Sequence, residues 1–159
     1  KGADLSVRAR ANDWPTQITN EPRVQYRPTG GLTPLLYAAR AGCLGCVKAM
    51  LDAGVDINYG DVDNTSALVV AIMNKQFTFA KFLLDRGADV NVVDAGGRTA
   101  LYAIVDIRNE DWSTLPNRKA EDSLPSLDIL KDLLARGANV DVALVDLDQP
   151  GRFEFVQHA

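Results

Sequence analysis

Two cysteines are the first residues of this 159-residue chain that could do chemistry. They lie at Cys43-Leu44-Gly45-Cys46, where a helix is expected to begin, and a helix N-terminus stabilises a thiolate. A redox motif of this spacing would also need a βαβ setting, haem attachment would need histidine in place of Val47, and zinc would need two further ligands. We therefore expect Cys46 to pack in the core and Cys43 to lie in a turn, both as structural thiols. A thiol enzyme built on the pair is kept as an alternative.

Other reactive side chains lack the partners that catalysis or ligand binding would require. The stretch Asp61-Val62-Asp63-Asn64 resembles the start of a calcium loop, but the glycine and the distal glutamate of such a loop do not follow. The single histidine, His158, has no serine, cysteine or carboxylate at the spacing of a catalytic triad. We therefore predict that the chain is not an enzyme and has no catalytic residues, no cofactor and no metal site.

A repeat of 33 residues organises the elements that carry these side chains. The sequence Gly-Leu-Thr-Pro-Leu at 31–35 returns as Asn-Thr-Ser-Ala-Leu at 64–68 and as Gly-Arg-Thr-Ala-Leu at 97–101. Residues 52–58 return in the same way at 85–91. A fixed period of this length predicts stacked units, each of which packs only on its neighbours.

Each period predicts two helices followed by a turn. A hydroxyl side chain stands at each expected start of a first helix, at Thr33, Ser66 and Thr99, where it can accept a hydrogen bond from a free backbone N–H. A second helix with apolar spacing follows. Glycine stands just past its end, as at Gly87, where a left-handed backbone conformation is expected.

The segments TPLLYAA, TALY and LLDRGADVN at this spacing resemble the ankyrin repeat. The resemblance implies an all-α ankyrin-repeat solenoid of helix-turn-helix units with hairpin-like turns, in which Asp61 and Asp94 hold the turns. The chain departs from the family in two ways. Leu36, Val69 and Tyr102 replace a histidine, and Lys75 and Arg108 replace the glycine that ends the first helix.

Two stretches break the period, and we interpret them as long loop insertions in a single repeat domain that is part of a longer protein. The first makes the entry to the array about 19 residues too long, and its prolines suggest an extended finger. The second separates the two helices of the third repeat. The expected division is a tail of a preceding repeat at 1–7, a finger at 8–30, repeats at 31–63, 64–96 and 97–141, an insert at about 109–125 in the last of these, and the start of a further finger or repeat at 142–159.

Composition limits the range of partners. The formal net charge is −4, whereas binding to nucleic acid phosphates needs a basic face. No apolar run approaches the length of a membrane span. The insert-containing pattern is similar to ankyrin-repeat proteins of environmental bacteria, in which an export signal is common. This likeness implies an extracytoplasmic location, periplasmic or secreted, with a cytoplasmic one as the alternative.

The resemblance implies that the chain binds another protein, which could be a neighbouring subunit of an assembly, on its turn tips, first helices and inserts. A regulatory or assembly segment of a larger enzyme or complex is the alternative. The aromatic side chains of the inserts are candidate anchors, although they could instead cover the inserts' own apolar surface. The predicted partner-binding residues are Trp14, Tyr26, Arg40, Asp61, Asp63, Thr65, Met73, Asn74, Asp94, Arg98, Asp106, Ile107 and Trp112.

Overall fold

The computed structural model describes residues 3–11, 30–109 and 123–142. Within these ranges the regular structure is helical, apart from one isolated antiparallel bridge between Ala11 and Gly30. This confirms the all-α expectation. The helices are α1 (Pro34–Ala41), α2 (Leu44–Asp52), α3 (Ala67–Met73), α4 (Phe77–Asp85), α5 (Ala100–Asn109) and α6 (Ser126–Ala135).

The first helix of each repeat begins at a buried hydroxyl side chain, as predicted. Thr33 accepts a hydrogen bond from the N–H of Leu36 at 3.3 Å, and Ser66 accepts one from Val69 at 3.3 Å. Thr99 repeats the arrangement 33 residues later, with Tyr102 as the donor at 3.1 Å. Because a starting helix leaves its first N–H groups without partners, these bonds fix where α1, α3 and α5 begin.

The ends of the first helices differ among the repeats. Gly42 ends α1 in the left-handed region at φ 70°, and Lys75 adopts φ 57° after α3 although it has a side chain. Helix α5 continues to Asn109, past the position that Gly42 and Lys75 occupy in the earlier repeats. Arg108 is therefore helical, and its Nη1 donates a hydrogen bond to Ser126 Oγ at 2.8 Å, which joins the end of α5 to the start of α6.

The helices form two rows. The first row holds α1, α3 and α5, which pack side by side, and each packs against the second helix of its own repeat. In the second row α4 also packs against α6. The core lies between the rows and is fully buried at Leu36, Val69, Phe79, Ile104 and Ile129.

The chain before the first repeat lies against the turn that follows α2. Arg8 stacks its guanidinium on the Tyr59 ring, 4.5 Å from the centroid, and donates to the Gly60 carbonyl oxygen at 3.0 Å. The Ala9 N–H donates to the Leu32 carbonyl oxygen at 2.9 Å, next to the bridge between Ala11 and Gly30. The two flanks of the predicted finger therefore meet.

Several predictions fall on other parts of the chain. Residues 12–29, 110–122 and 143–159 lie outside the described residues, and with them Trp14, Tyr26 and Trp112. The proposed domain boundaries stay predictions. Among the helices of the described segments, none is both long enough and apolar enough to span a membrane.

Candidate protein-binding surface

The turn before α3 is built on a buried carboxylate. Asp61 is 5 % exposed, and its Oδ1 accepts hydrogen bonds from the N–H groups of Asp63 at 3.0 Å and Thr65 at 2.8 Å. Burial raises the pKa of Asp61, since a charge in a dry environment is unfavourable, and the hydrogen bonds from Thr65 act in the opposite direction. The Asp61 side chain therefore holds the loop in shape.

The next turn repeats this geometry and adds a cation. Asp94 Oδ1 accepts from the N–H groups of Gly96 at 2.8 Å and Arg98 at 2.9 Å. Its Oδ2 lies 2.7 Å from both Nε and Nη2 of Arg98, so two guanidinium nitrogens form an ion pair with one carboxylate oxygen. Thr65 occupies the position of Arg98 in the earlier turn, so Asp61 has a hydroxyl side chain as its partner there and not a cation.

Hydrogen bonds join the two turns. Asn64, at φ 62°, donates from Nδ2 to the Val93 carbonyl oxygen at 2.9 Å, and the Ala95 N–H donates to the Asp63 carbonyl oxygen at 2.7 Å. The tips therefore form a continuous edge. The side chains that reach solvent there are those of Val62, Asn64 and Ala95.

Four of the predicted partner-binding residues lie in these turns. Asp61, Asp63, Thr65 and Asp94 are all buried and do not reach solvent at the tips. The reason is that the turn N–H groups require acceptors, and the Asp61 and Asp94 carboxylates supply them. The hydrogen bonds of Asp61 and Asp94 agree with the expectation that these two residues hold the turns. The role of the buried tip residues in recognition stays a prediction.

The first-row helices present a row of unlike side chains. Arg40, Met73 and Asp106 occupy the same position in successive repeats, and all three are exposed. The exposed fraction of Met73 is 39 %. The row therefore runs from a cation through an apolar group to a carboxylate. Beside its basic end, Tyr37 is also exposed, with the Arg40 guanidinium 5.1 Å from its ring centroid.

The remaining predicted residues lie beside this row. Asn74 is exposed and donates from Nδ2 to the Val70 carbonyl oxygen at 2.8 Å, while Ile107 is half-buried. Near the acidic end, burial raises the pKa of Tyr102, and the charge of Asp106 adds to the shift. Tyr37 and Val62 are also exposed and were not among the predicted residues. The sequence signal for Val62 was an apolar residue between two aspartates in an expected turn.

The two cysteines form a disulfide, contrary to our expectation of structural thiols. Cys43 is the N-cap of α2 and is half-buried, and its Sγ accepts a hydrogen bond from the Cys46 N–H at 3.3 Å. Cys46 is exposed, so the prediction that it packs in the core is wrong. The physical reason is the covalent bond, which holds the Cys46 sulfur against the helix start.

Comparison with known proteins identifies the repeat. Residues 16–94 match the family model described as ankyrin repeats, three copies. The chain contains ankyrin repeats. Over 72 residues, or 45 % of its length, it is 36 % identical to Inversin from Gallus gallus, and the aligned part covers 6 % of that protein. Ankyrin repeats are protein–protein interaction modules.

A hydrogen bond that joins neighbouring repeats within the matched residues recurs beyond them. Asn58 Oδ1 accepts from the Asp89 N–H at 2.9 Å, which links the first repeat to the second. Asn91 Oδ1 accepts from the Asn139 N–H at 2.8 Å, which links the second to the third. Within the described ranges, no group of three or more His, Cys, Asp or Glu side chains could hold a metal ion.

Proposed function

We propose that the chain binds a partner protein on the face formed by α1, α3 and α5, centred on the row Arg40, Met73 and Asp106. The observation that carries the proposal is the order of these side chains at one repeat position. Packed helix axes lie about 8–10 Å apart, so the row extends over roughly 20 Å. That length suits a helix or an extended segment of a partner.

The side chains of the row define the chemistry of that partner segment. An acidic group belongs opposite Arg40, a basic group opposite Asp106, and an apolar group opposite Met73. Methionine adapts its shape to the group it contacts, which suits the centre of an interface. Exposed ion pairs contribute little affinity each, so the charges set orientation and association rate while the apolar contact supplies most of the binding energy.

The turn tips extend this surface along one edge. Val62, Asn64 and Ala95 are exposed there, on a backbone that the buried Asp61 and Asp94 carboxylates hold rigid. A surface that is already ordered loses little conformational entropy on binding. The anchoring role of Trp14, Tyr26 and Trp112 belongs to the same proposal as a prediction. The alternative, a regulatory or assembly segment, would use the same face within a larger protein.

Binding kinetics with partners captured from the native source test the proposal. Met73→Ala should raise the dissociation rate about tenfold, the effect of losing one well-placed apolar contact. Arg40→Glu and Asp106→Lys should each lower the association rate severalfold, and this loss should shrink as salt is added. Lys131→Glu on the exposed side of α6 is the matched control and should leave both rates unchanged. Binding that survives the first three changes but not the control change would refute the proposal.

We also propose that the chain works outside the cytoplasm. The Cys43–Cys46 disulfide supports this location, since disulfides persist in oxidising compartments and are rare in the cytosol. Blocking of free thiols before lysis, followed by fractionation of the native cells, tests it. Recovery of the chain in the cytoplasmic fraction would contradict it.

A further inference from the structure

The two residues of the Cys43–Cys46 disulfide differ in exposure. Cys46 is exposed, whereas Cys43 is half-buried and bonded to the Cys46 N–H through its Sγ at 3.3 Å. Thiol–disulfide exchange requires that an incoming thiolate reach one of the two sulfurs. Cys46 is the one that solvent reaches more easily.

The fold of the repeat does not need this bond. Helices α2 and α4 each have nine residues and start at the same repeat position. Gln76 stands where Cys43 stands and makes no side-chain capping bond, yet α4 forms and buries Phe79 at the position of Cys46. Moreover, the bond spans only three residues of sequence, and a disulfide that closes so short a loop constrains the unfolded chain least.

The local charge favours release of a thiolate from Cys43. No acidic residue lies in the first turn of α2, and the free N–H groups of a helix start stabilise a negative charge at the N-cap. A stabilised thiolate is a better leaving group. We propose that the Cys43–Cys46 disulfide is an exchange site for low-molecular-weight thiols and that it reacts in the folded protein.

The reaction proceeds in two balanced steps. The thiolate of a small thiol attacks Cys46 Sγ, which forms a mixed disulfide there, breaks the Cys43–Cys46 bond and leaves the electron pair on Cys43 as a thiolate. A second small thiolate then attacks the sulfur of the first, which releases Cys46 as a thiolate and forms the oxidised small disulfide. Two thiols thus supply the two electrons that reduce the pair. In the absence of the second thiol, the Cys43 thiolate reverses the first step.

Reduction of the folded chain is the first measurement. The air-oxidised chain is incubated with reduced glutathione and alkylated with N-ethylmaleimide, and its mass is determined. Two added groups are expected while the helical circular dichroism is retained, and the melting temperature should fall by less than about 5 °C. Free thiols before any reductant, a disulfide that resists glutathione until the chain melts, or loss of the helical signal on reduction would each overturn the proposal.

Single-cysteine variants identify the sulfur that is attacked. Cys43→Ser keeps an N-capping hydroxyl and leaves Cys46 alone, so with oxidised glutathione a stable adduct should accumulate on Cys46. In Cys46→Ser the adduct on the half-buried Cys43 should form about tenfold more slowly once each rate is divided by the ionised fraction of its thiol, since access then limits exchange. Equal rates for the two variants would overturn the assignment of Cys46 as the attacked sulfur. If either variant fails to fold, the reduction of the unaltered chain decides the proposal alone.

Discussion

Leu84 and Leu134 occupy the same position in the second and third repeats, yet they differ in exposure. Leu84 is 0 % exposed and Leu134 is 46 % exposed. Helix α6 packs against α4, and Arg136 donates to the Leu84 carbonyl oxygen at 2.6 Å. The same position of the repeat is therefore buried where α6 packs against α4 and exposed on α6 itself.

The largest expected difference between the two repeats comes from truncating these leucines. Leu84→Ala should lower the free energy of unfolding by about 2–5 kcal/mol, because it leaves a cavity in a closed core. Leu134→Ala should cost less than about 1 kcal/mol, since water already reaches that side chain. Urea denaturation of the two variants measures both values. Equal losses would show that burial at this position does not set the stability.

Substitutions that strain the backbone should cost the same stability in both repeats, unlike the truncations of the two leucines. Gly87 and Gly137 follow α4 and α6 at φ 86° and 83°, with open space where a side chain would project. Gly87→Val and Gly137→Val should therefore each cost about 1–3 kcal/mol, from strain and not from contact. Thermal melting of the pair provides the measurement. An unchanged melting temperature in both would contradict the assigned left-handed turns.

The two turn aspartates give a smaller contrast. Asp94→Asn removes the charge that pairs with Arg98 and should cost about 1–2 kcal/mol, a typical loss for a hydrogen bond to a charged group. Asp61→Asn should change stability by less than about 0.5 kcal/mol, since the amide oxygen still accepts both turn N–H groups and a buried charge is removed. Chemical denaturation at neutral pH distinguishes them.

The pH dependence checks the same contrast. Because burial raises the pKa of Asp61, the folded chain takes up this proton before the unfolded chain does. The contribution of Asp61 to stability therefore increases as pH falls through its raised pKa towards the ordinary value, and this increase should vanish in Asp61→Asn. A stability difference between the variant and the parent chain that does not change over this range would contradict the raised pKa.

The smallest expected difference lies in the ion pairs between second-row helices. Arg136 contacts Asp85 at 2.6 Å and Asp132 at 2.8 Å, whereas Arg86 reaches Asp52 only at 3.5 Å. Arg136→Ala should cost about 1 kcal/mol and Arg86→Ala less than about 0.5 kcal/mol, both reduced by salt. Denaturation at low and high salt gives the two costs. If the two substitutions cost the same stability and salt does not change that cost, the ion pairs are not its cause.

Acid should remove the contribution of these pairs. Arg136 lowers the pKa of Asp132, and Lys81 lowers that of Asp85. Each carboxylate therefore contributes stability above its ordinary pKa, and this contribution is lost as pH falls through the lowered value. Arg136→Ala should show a weaker loss on acidification than the unaltered chain.

The sequence predicted the backbone of the repeat because local chemistry determines it. Thr33 and Ser66 cap their helices, and Gly87 adopts its left-handed conformation, wherever the neighbouring repeats lie. The hydrogen bond from Arg108, near the end of α5, to Ser126 could not be predicted from the period, because it joins residues far apart in sequence.

The candidate surface was predictable only in part. Arg40, Met73 and Asp106 share a repeat position, so the period predicted that they lie on one face of the first-row helices. The burial of Asp63 did not follow, since it depends on the packing of one turn against the next. Cys46 shares its position with the buried Phe79, so the period predicted its burial, whereas Cys46 is exposed and bonded to Cys43.

The contact between Arg108 and Ser126 has a consequence for protein engineering. It fixes the distance between the end of α5 and the start of α6, so the chain that connects them begins and ends at set points. Doubling the length of a flexible connection between fixed ends costs only about 0.6 kcal/mol. Foreign peptides could therefore be grafted between these two helices, and the repeat would display them without a change in its own packing.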